Sequence, residues 1–426
     1  MRKGWEIKKL GEVCDFQNGF AFKSNSFKPI GSPVLRISNI QNNAIDFENL
    51  VYIDVADYKE DLSKYEVNSG DLLIAMSGGT TGKIGINNTD TVFYLNQRVG
   101  MFHPKKTLIK PLLYYFLSTK VEENLRISAG SAQPNLSTEQ IKSFEIPLPP
   151  LPEQQRIVAI LDEAFEAIEQ AKANAEKNLQ NAKELFESYL QGMFESKIHG
   201  SKSETLESLC DLIVDCEHKT APTQETGYPS IRTPNIGKGN LILDGVYRVS
   251  HETYLEWTRR AVPQAGDLIL AREAPAGNIA VIPDNLEVCL GQRTVLVRPK
   301  MKRFVSMYLA YLILSKEVQQ RLLSHSHGAT VEHVNMKDIR AFKIYNLPTV
   351  EEQQRVVNQI NVLSSETKQL EENYRKKLES LEELKKSILQ KAFSGELTSP
   401  ERVASENDGC SPSSEETRST TSPAGA

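Results

Sequence analysis

One long segment of this chain occurs twice, and that duplication limits the fold more than any other feature. Pro-Leu-Pro-Glu-Gln-Gln-Arg-Ile-Val, ending at Val158, returns as Leu-Pro-Thr-Val-Glu-Glu-Gln-Gln-Arg-Val-Val, ending at Val357. Upstream, Cys14-Asp15 matches Cys210-Asp211, Arg36 with Asn39 matches Arg232 with Asn235, Gly70-Asp71-Leu72 matches Gly266-Asp267-Leu268, and Gln97-Arg98 matches Gln292-Arg293. The offset, roughly 196 to 199 residues, far exceeds the period of a solenoid, so each copy is a domain and not one turn of a stack. The repeated order is domain, then long helix. It predicts a first domain over 1–150, a helix over 151–196, a second domain over 204–347, a helix over 348–396 and a tail over 397–426.

The two helical stretches carry matching apolar seams. The first runs Ile157, Leu161, Ala164, Ile168, Ala171, Ala175, Leu179, Ala182, Phe186, Tyr189, Met193, the alternating steps of four and three of a heptad pattern with one extra step of four. The second, from Val356 and Ile360 through Leu370, Tyr374 and Leu378 to Ala392, breaks at the same place. A stutter of this kind slightly unwinds a coiled coil. Any amphipathic helix has a seam, but two matched seams behind two matched domains predict helices that meet each other. Pro152 falls near the first turn, where a helix needs no amide donor. Some forty residues at about 1.5 Å each make a rod on the order of 60 Å. Related by a pseudo-twofold axis, the packed helices run antiparallel with one domain at each end, and their length becomes a ruler between two readers.

Within each domain the pattern predicts an α/β fold. Strand-like Val34-Leu35-Arg36-Ile37 and Ser230-Ile231-Arg232-Thr233 precede the apolar runs Asp71 to Ala75 and Asp267 to Ala271, which are bounded by glycine. Leu112 to Leu117 and Met307 to Leu314 are read as one buried helix per copy. The loop after the central strand diverges, however: Met76-Ser77-Gly78-Gly79-Thr80-Thr81-Gly82-Lys83 against Arg272-Glu273-Ala274-Pro275-Ala276-Gly277-Asn278. A shared framework with different loop chemistry is expected if each domain reads something different.

For duplex DNA the chemistry is available. Arginine and lysine reach guanine O6 and N7, and asparagine and glutamine bridge adenine N6 and N7. Lys83, Gln97, Arg98, Arg272, Gln292 and Arg293 are the candidate readers, with Arg36 and Arg232 beside them. Those shared by both copies fit framework or phosphate contacts somewhat better than base readout, and such contacts position a protein without selecting a sequence. A net charge of −5 and a pI of about 5.9 do not by themselves suggest phosphate neutralisation. The acidic excess gathers on the first long helix and in the tail, while 300–343 is locally basic, so global charge decides nothing.

Other chemistries find little support. Five cysteines, Cys14, Cys210, Cys216, Cys289 and Cys410, form no CxxC pair, which argues against a disulfide framework or zinc cluster and for reduced thiols in a cytosol. Met1 leads into charge and not into an apolar core, so no signal peptide is expected, and no run reaches the roughly 18 apolar residues of a membrane span. The stretch 78–83 lacks the first glycine of a phosphate loop, and Ile84 follows its lysine. Pro283-Asp284 with Glu287-Val288-Cys289 has cysteine where a metal nuclease needs lysine. His325, His327 and His333, and Cys216 near His218, lack metal-type spacing. No Asp/Asn-Pro-Pro-Tyr/Phe element of an adenine methyltransferase occurs. The tail from Ser399, rich in Ser, Thr, Pro, Gly and Glu, is expected to be disordered.

With these residues in view, the chain resembles the specificity subunits of type I restriction-modification systems over about Trp5 to Leu397. The marks are the duplicated domain-helix plan, Ala129-Gly130-Ser131-Ala132-Gln133-Pro134-Asn135-Leu136 leading into Phe144 to Pro150, Glu153-Gln154-Gln155-Arg156, and in the second copy Gly328 and Glu352-Gln353-Gln354-Arg355. The second copy departs in replacing the Pro-rich linker by Ile344-Tyr345-Asn346-Leu347-Pro348. The resemblance implies two target-recognition domains, each reading half of a bipartite, asymmetric double-stranded DNA site. It implies helices that dock two modification subunits, which bind S-adenosylmethionine and methylate adenine N6, and two restriction subunits that use ATP and Mg for translocation and cleavage. On this reading the chain is cytoplasmic, touches no membrane, binds no cofactor or metal and is not itself an enzyme. Two other classes remain open from the residues: a methyltransferase or nuclease acting alone, and a coiled-coil adaptor without DNA specificity.

Overall fold

In the computed structural model the described residues are 4–41, 44–129, 135–195, 200–273, 275–324 and 333–398; Gly130 to Pro134, His325, His327, Gly328 and the tail beyond Thr398 lie outside them. The chain divides into two compact units, Met1–Ala173 with Leu378–Ala426, and Asn174–Lys377. The division cuts both long helices, Leu151–Phe194 and Val350–Ser394. Each unit therefore holds one repeated domain, part of its own helix and part of the other.

The first domain is built on a four-stranded antiparallel sheet in the order Cys14–Asn18, Val99–Pro104, Leu72–Ala75, Ile84–Ile86. Its central strand Leu72–Ala75 is buried on both faces, which is why it reads as an unbroken apolar run. Alternation divides its side chains between two cores. Leu72 and Ile74 pack with Leu112, Leu113 and Phe116 of the helix Lys110–Ala129, while Leu73 and Ala75 pack with Leu35, Ile40, Phe93 and Leu95. A second sheet supplies that other core, in the order Val51–Ile53, Ser32–Leu35, Phe93–Leu95, Glu66–Val67, with one parallel pairing, Val34 opposite Tyr94.

The second domain repeats the scheme. Leu268–Ala271 sits between Thr294–Pro299 and Ile279–Val281; Leu268 and Leu270 face Leu309 and Leu312 of the helix Ser306–Leu314, and Ile269 and Ala271 face Ile231, Ile236 and Leu290. Here too a parallel pair joins Ser230 to Cys289. The departure in the linker leaves the pairing intact: Glu6–Lys9 runs antiparallel to Glu145–Leu148, and Ser203–Thr205 antiparallel to Lys343–Tyr345.

The duplicated Glu-Gln-Gln-Arg motif has a structural cause. Gln154 is fully buried; its Nε2 donates to the carbonyls of Thr107 and Pro149, each at 2.8 Å, and its Oε1 accepts the Ile109 amide at 3.0 Å. Gln353, also fully buried, donates to Arg303 (2.8 Å) and Pro348 (3.0 Å) and accepts from Val305 at 2.9 Å. Each glutamine thus satisfies backbone groups that burial would otherwise leave unpaired, and ties the start of a long helix to the loop entering the preceding domain helix. Tyr115 with Asp162, and Tyr311 with Asn361 at 2.7 Å, fasten the same two helices about two turns further on.

Within each unit the helix segments run antiparallel. In the first, Glu169 meets Lys385 at 2.9 Å and Lys172 meets Glu382 at 2.8 Å, so one number rises as the other falls, and Ile157 and Leu161 share a core with Leu389 and Ala392. In the second, Leu190 and Phe194 share a core with Val357 and Ile360. The seam deviates near the helix ends. Leu190 and Phe194 are buried where Tyr189 and Met193 were expected, because the last turns face the domain core, where the Phe194 ring packs edge-on against Tyr308 at 5.2 Å. In mid-helix, the seam position Thr367 is buried as expected, with its hydroxyl returned to the Leu363 carbonyl at 2.9 Å, whereas the next seam position, Leu370, is 41% exposed. Among the described residues no helix is long and apolar enough to cross a membrane. Cys14, Cys210, Cys216 and Cys289 are free and buried, and burial pushes the Cys14 and Cys210 thiols up to about 12.

Candidate nucleic-acid interface

Four stretches distant in sequence converge beyond the end of each central strand. In the first unit the Met76 amide donates to the Arg98 carbonyl (2.9 Å), the Leu136 amide to the Met76 carbonyl (2.8 Å), and the Thr80 hydroxyl to the Ile37 carbonyl (2.8 Å). In the second, the Arg272 amide donates to Arg293 (2.8 Å), the Val334 amide to Arg272 (2.9 Å), and Asn278 Nδ2 to Ile236 (3.0 Å). The divergent loop, the Gln-Arg turn, the Arg-x-x-Asn segment and the returning strand residues (Asn135 bridged to Ser77, His333 to Glu273) therefore form one loop cluster per unit on a common hydrogen-bonded frame.

Several shared residues are occupied by that frame. Asn39 Oδ1 accepts the Arg36 amide at 3.0 Å and its Nδ2 donates to Asp46; Asn235 repeats both contacts with Arg232 and Ile242. Gly70 and Gly266 are left-handed, at φ +78° and +83°, conformations open to glycine at little cost. Asp71 and Asp267 accept the amides of Asn68 and Gln264, three residues earlier, closing the same turns. Arg298 forms a two-pronged pair with Asp267, at 2.8 and 2.7 Å, which raises its pKa further above the ordinary arginine value.

The eight candidate readers fall into distinct situations. Gln97 and Arg98 are exposed at the tip of the turn between Phe93–Leu95 and Val99–Pro104, and no hydrogen bond or ion pair of either side chain occurs among the described residues. Lys83 is half-buried and donates to Gln41 Oε1 at 2.9 Å. Arg36 and Arg232 are half-buried, and each braces the segment that follows it in its own unit: Arg36 Nη2 donates to the Asn49 carbonyl at 2.9 Å, and the Arg232 guanidinium lies 3.9 Å from the centre of the Tyr247 ring, within cation–π range. Arg272 is a brace as well, its Nε on the Val334 carbonyl (3.0 Å) and its Nη1 on Asp215 (2.8 Å). Gln292 is half-buried, and Arg293 is 60% exposed and left-handed (φ +64°), with Nε 3.0 Å from Glu273.

Residues beyond the sequence-based set also belong here. Asp215 holds Arg272 and His218 (3.2 Å), and Arg260 donates to the carbonyls of Asp215 and Cys216. Gln41 seats Lys83, and in the first unit Asn18 bonds Thr138 at 3.0 Å. None is repeated between the copies, so the duplication could not mark them. Among the described residues no group of three or more His, Cys, Asp or Glu could hold a metal ion.

Two domains of one construction, each exposing a loop cluster of divergent chemistry, define a two-headed recognition protein. The chain matches the type I restriction modification DNA specificity domain twice, over residues 2–177 and 202–380, and belongs to that family. It is similar, at 27% identity over 425 residues, to the putative type I restriction enzyme MjaX specificity subunit of Methanocaldococcus jannaschii, with 92% of this chain and 93% of that protein covered. To the type I restriction enzyme EcoBI specificity subunit of Escherichia coli it is 23% identical over 439 residues, with 95% and 90% covered. Its fold is that of a chain solved in work on complex assembly and conformational transition of the type I R-M system, with a TM-score of 0.73 at 20% identity, covering 93% of this chain and 99% of the other.

Proposed function

We propose that this chain is the sequence-reading subunit of a type I restriction-modification assembly, each unit reading one half of a bipartite duplex site through its loop cluster. The observation that carries this reading is the contrast within the duplication: the backbone bonds that join the Gln-Arg turn to the end of the central strand recur, as does the Gln-Arg pair itself, whereas the loop after that strand, 76–83 against 272–278, differs in chemistry. Exposed Gln97, Arg98 and Arg293 suit direct contact with DNA; Lys83 and Gln292 stand at the edge of the same clusters; Arg36, Arg232 and Arg272 hold the loops in place. Phosphate contacts orient such a protein and groove contacts select the sequence. The long helices receive two modification subunits and, through them, two restriction subunits. S-adenosylmethionine, ATP and Mg belong to those partners, and methylation and cleavage are theirs. Family membership supports the DNA-reading role; partner number and cofactors rest on the resemblance alone.

The test is an exchange of residues 77–83 for the corresponding loop of a relative, followed by selection of bound sites from random duplexes at two salt concentrations. The expected result is a new sequence in one half-site and an unchanged other half. Changes in both halves, or no selected sequence above the salt-sensitive background, would refute independent readers.

A further inference from the structure

The two clusters treat their shared arginine differently. Position 77 in the first unit is serine, and the same place in the second is Glu273, as their bridges to Asn135 and His333 show. The exposed Arg98 side chain accordingly has no hydrogen bond or ion pair among the described residues. Arg293 forms an ion pair with Glu273, its Nε 3.0 Å from Glu273 Oε2, and among the described residues nothing engages its Nη1 and Nη2. A carboxylate on a DNA-facing surface is repelled by phosphates and cancels much of the arginine's long-range pull, so this spot gains little from non-specific binding. What it gains is direction. An arginine ion-paired on its Nε side leaves its two terminal nitrogens as a fork, the geometry that fits the paired acceptors O6 and N7 of guanine.

We propose that Glu273 and Arg293 form one reading device for a guanine in the half-site bound by the second unit, with Arg293 Nη1 and Nη2 donating to O6 and N7 in the major groove and Glu273 fixing the guanidinium plane. This rests on the DNA-reading function proposed above. Arg293 makes the contact; Glu273 is a positioning residue. The first unit, with Ser77 at this place, uses Arg98 without such orientation.

The experiment is site selection by the full chain, purified with its modification partner, comparing wild type with Arg293→Ala, Arg293→Lys and Glu273→Ala. Both side chains lie outside the buried cores, and matching melting curves establish that the variants fold. Arg293→Ala is expected to lower the preference for guanine at one position of one half-site by roughly ten- to a hundredfold, and Arg293→Lys to recover it only in part, because a single ammonium lacks the fork. Glu273→Ala should relax that same position while affinity for random duplex stays equal or rises. The proposal is overturned if Arg293→Ala weakens all sequences alike and lowers the slope of log affinity against log salt by about one, the mark of a phosphate contact. It is equally overturned if Glu273→Ala leaves the selected sequence unchanged. A wild-type complex that selects no bipartite sequence would instead defeat the function itself, and this device with it.

Discussion

Gln154 and Gln353 show what repetition in a sequence does and does not reveal. Their motif is visible at once, yet nothing in Glu-Gln-Gln-Arg says whether it is kept for a partner, a ligand or the chain's own backbone. The answer lies in three hydrogen bonds per glutamine, to groups 45 to 50 residues away or just before the helix, which no local pattern encodes. Gly70-Asp71 and Arg36 with Asn39 are similar: obvious as repeats, and explained only when their turns and hairpins are seen. Replacing a buried glutamine by leucine keeps its volume but strands one amide and two carbonyls, each worth about 1–3 kcal/mol when left unpaired. Gln353→Leu is expected to destabilise the second unit by about 2–4 kcal/mol, read as a lowered midpoint in urea unfolding. Gln354→Leu, at a neighbouring position exposed on the helix surface, should change it by less than about 0.5 kcal/mol. Equal effects at both positions would show that the buried bonds contribute nothing special.

At the scale of elements, the helices were legible because a period near 3.6 survives in the apolar residues over forty positions; the exceptions are the last turns of the first helix, which face a domain core, and Leu370, which is exposed in mid-helix. Strands buried on both sides were legible as apolar runs, but their two-sheet arrangement was not, since alternation between two cores leaves no polar face to mark. The helix pair of the first unit is fastened at its surface by Glu169 with Lys385 and Lys172 with Glu382. The hydrogen bond from Lys172 holds the Glu382 carboxyl below the usual glutamate range. A carboxyl whose pKa is depressed on folding contributes stability above its unfolded pKa and loses it as pH falls through the folded value. Glu382→Gln should therefore destabilise at pH 7 by about 0.2–1 kcal/mol, the range of exposed ion pairs, and the gap to wild type should close as the pH drops below the carboxylate range. It should also shrink in 1 M salt, where the screening length is about 3 Å. Denaturation curves at several pH values would check both, and a gap that widened in acid would contradict the assigned cause.

At the scale of the whole molecule, the boundary between the two units falls within both long helices, Leu151–Phe194 and Val350–Ser394. If the two units read the two halves of one DNA site, the helices are the natural determinant of the unread spacer. Removing seven residues from each, 174–180 and 374–380, preserves the apolar seam, because a heptad rotates a helix by only about 20° from register. Each helix is shortened by about 10 Å. At about 3.4 Å per base pair along the duplex, the preferred spacer should contract by roughly three base pairs. Three base pairs also turn the duplex by close to a third of its 10–10.5 base-pair repeat, so the shortened protein must twist itself or the DNA to engage both halves, and its affinity should fall even for its best spacer. Selected sites should therefore keep both half-site sequences, carry a shorter gap and bind more weakly. Deleting the seven residues from one helix only should cost far more, because the seam then loses register along the pair. A spacer unchanged after the double deletion would mean that something other than the helices sets the distance, such as the docked subunits or the path of the bound DNA.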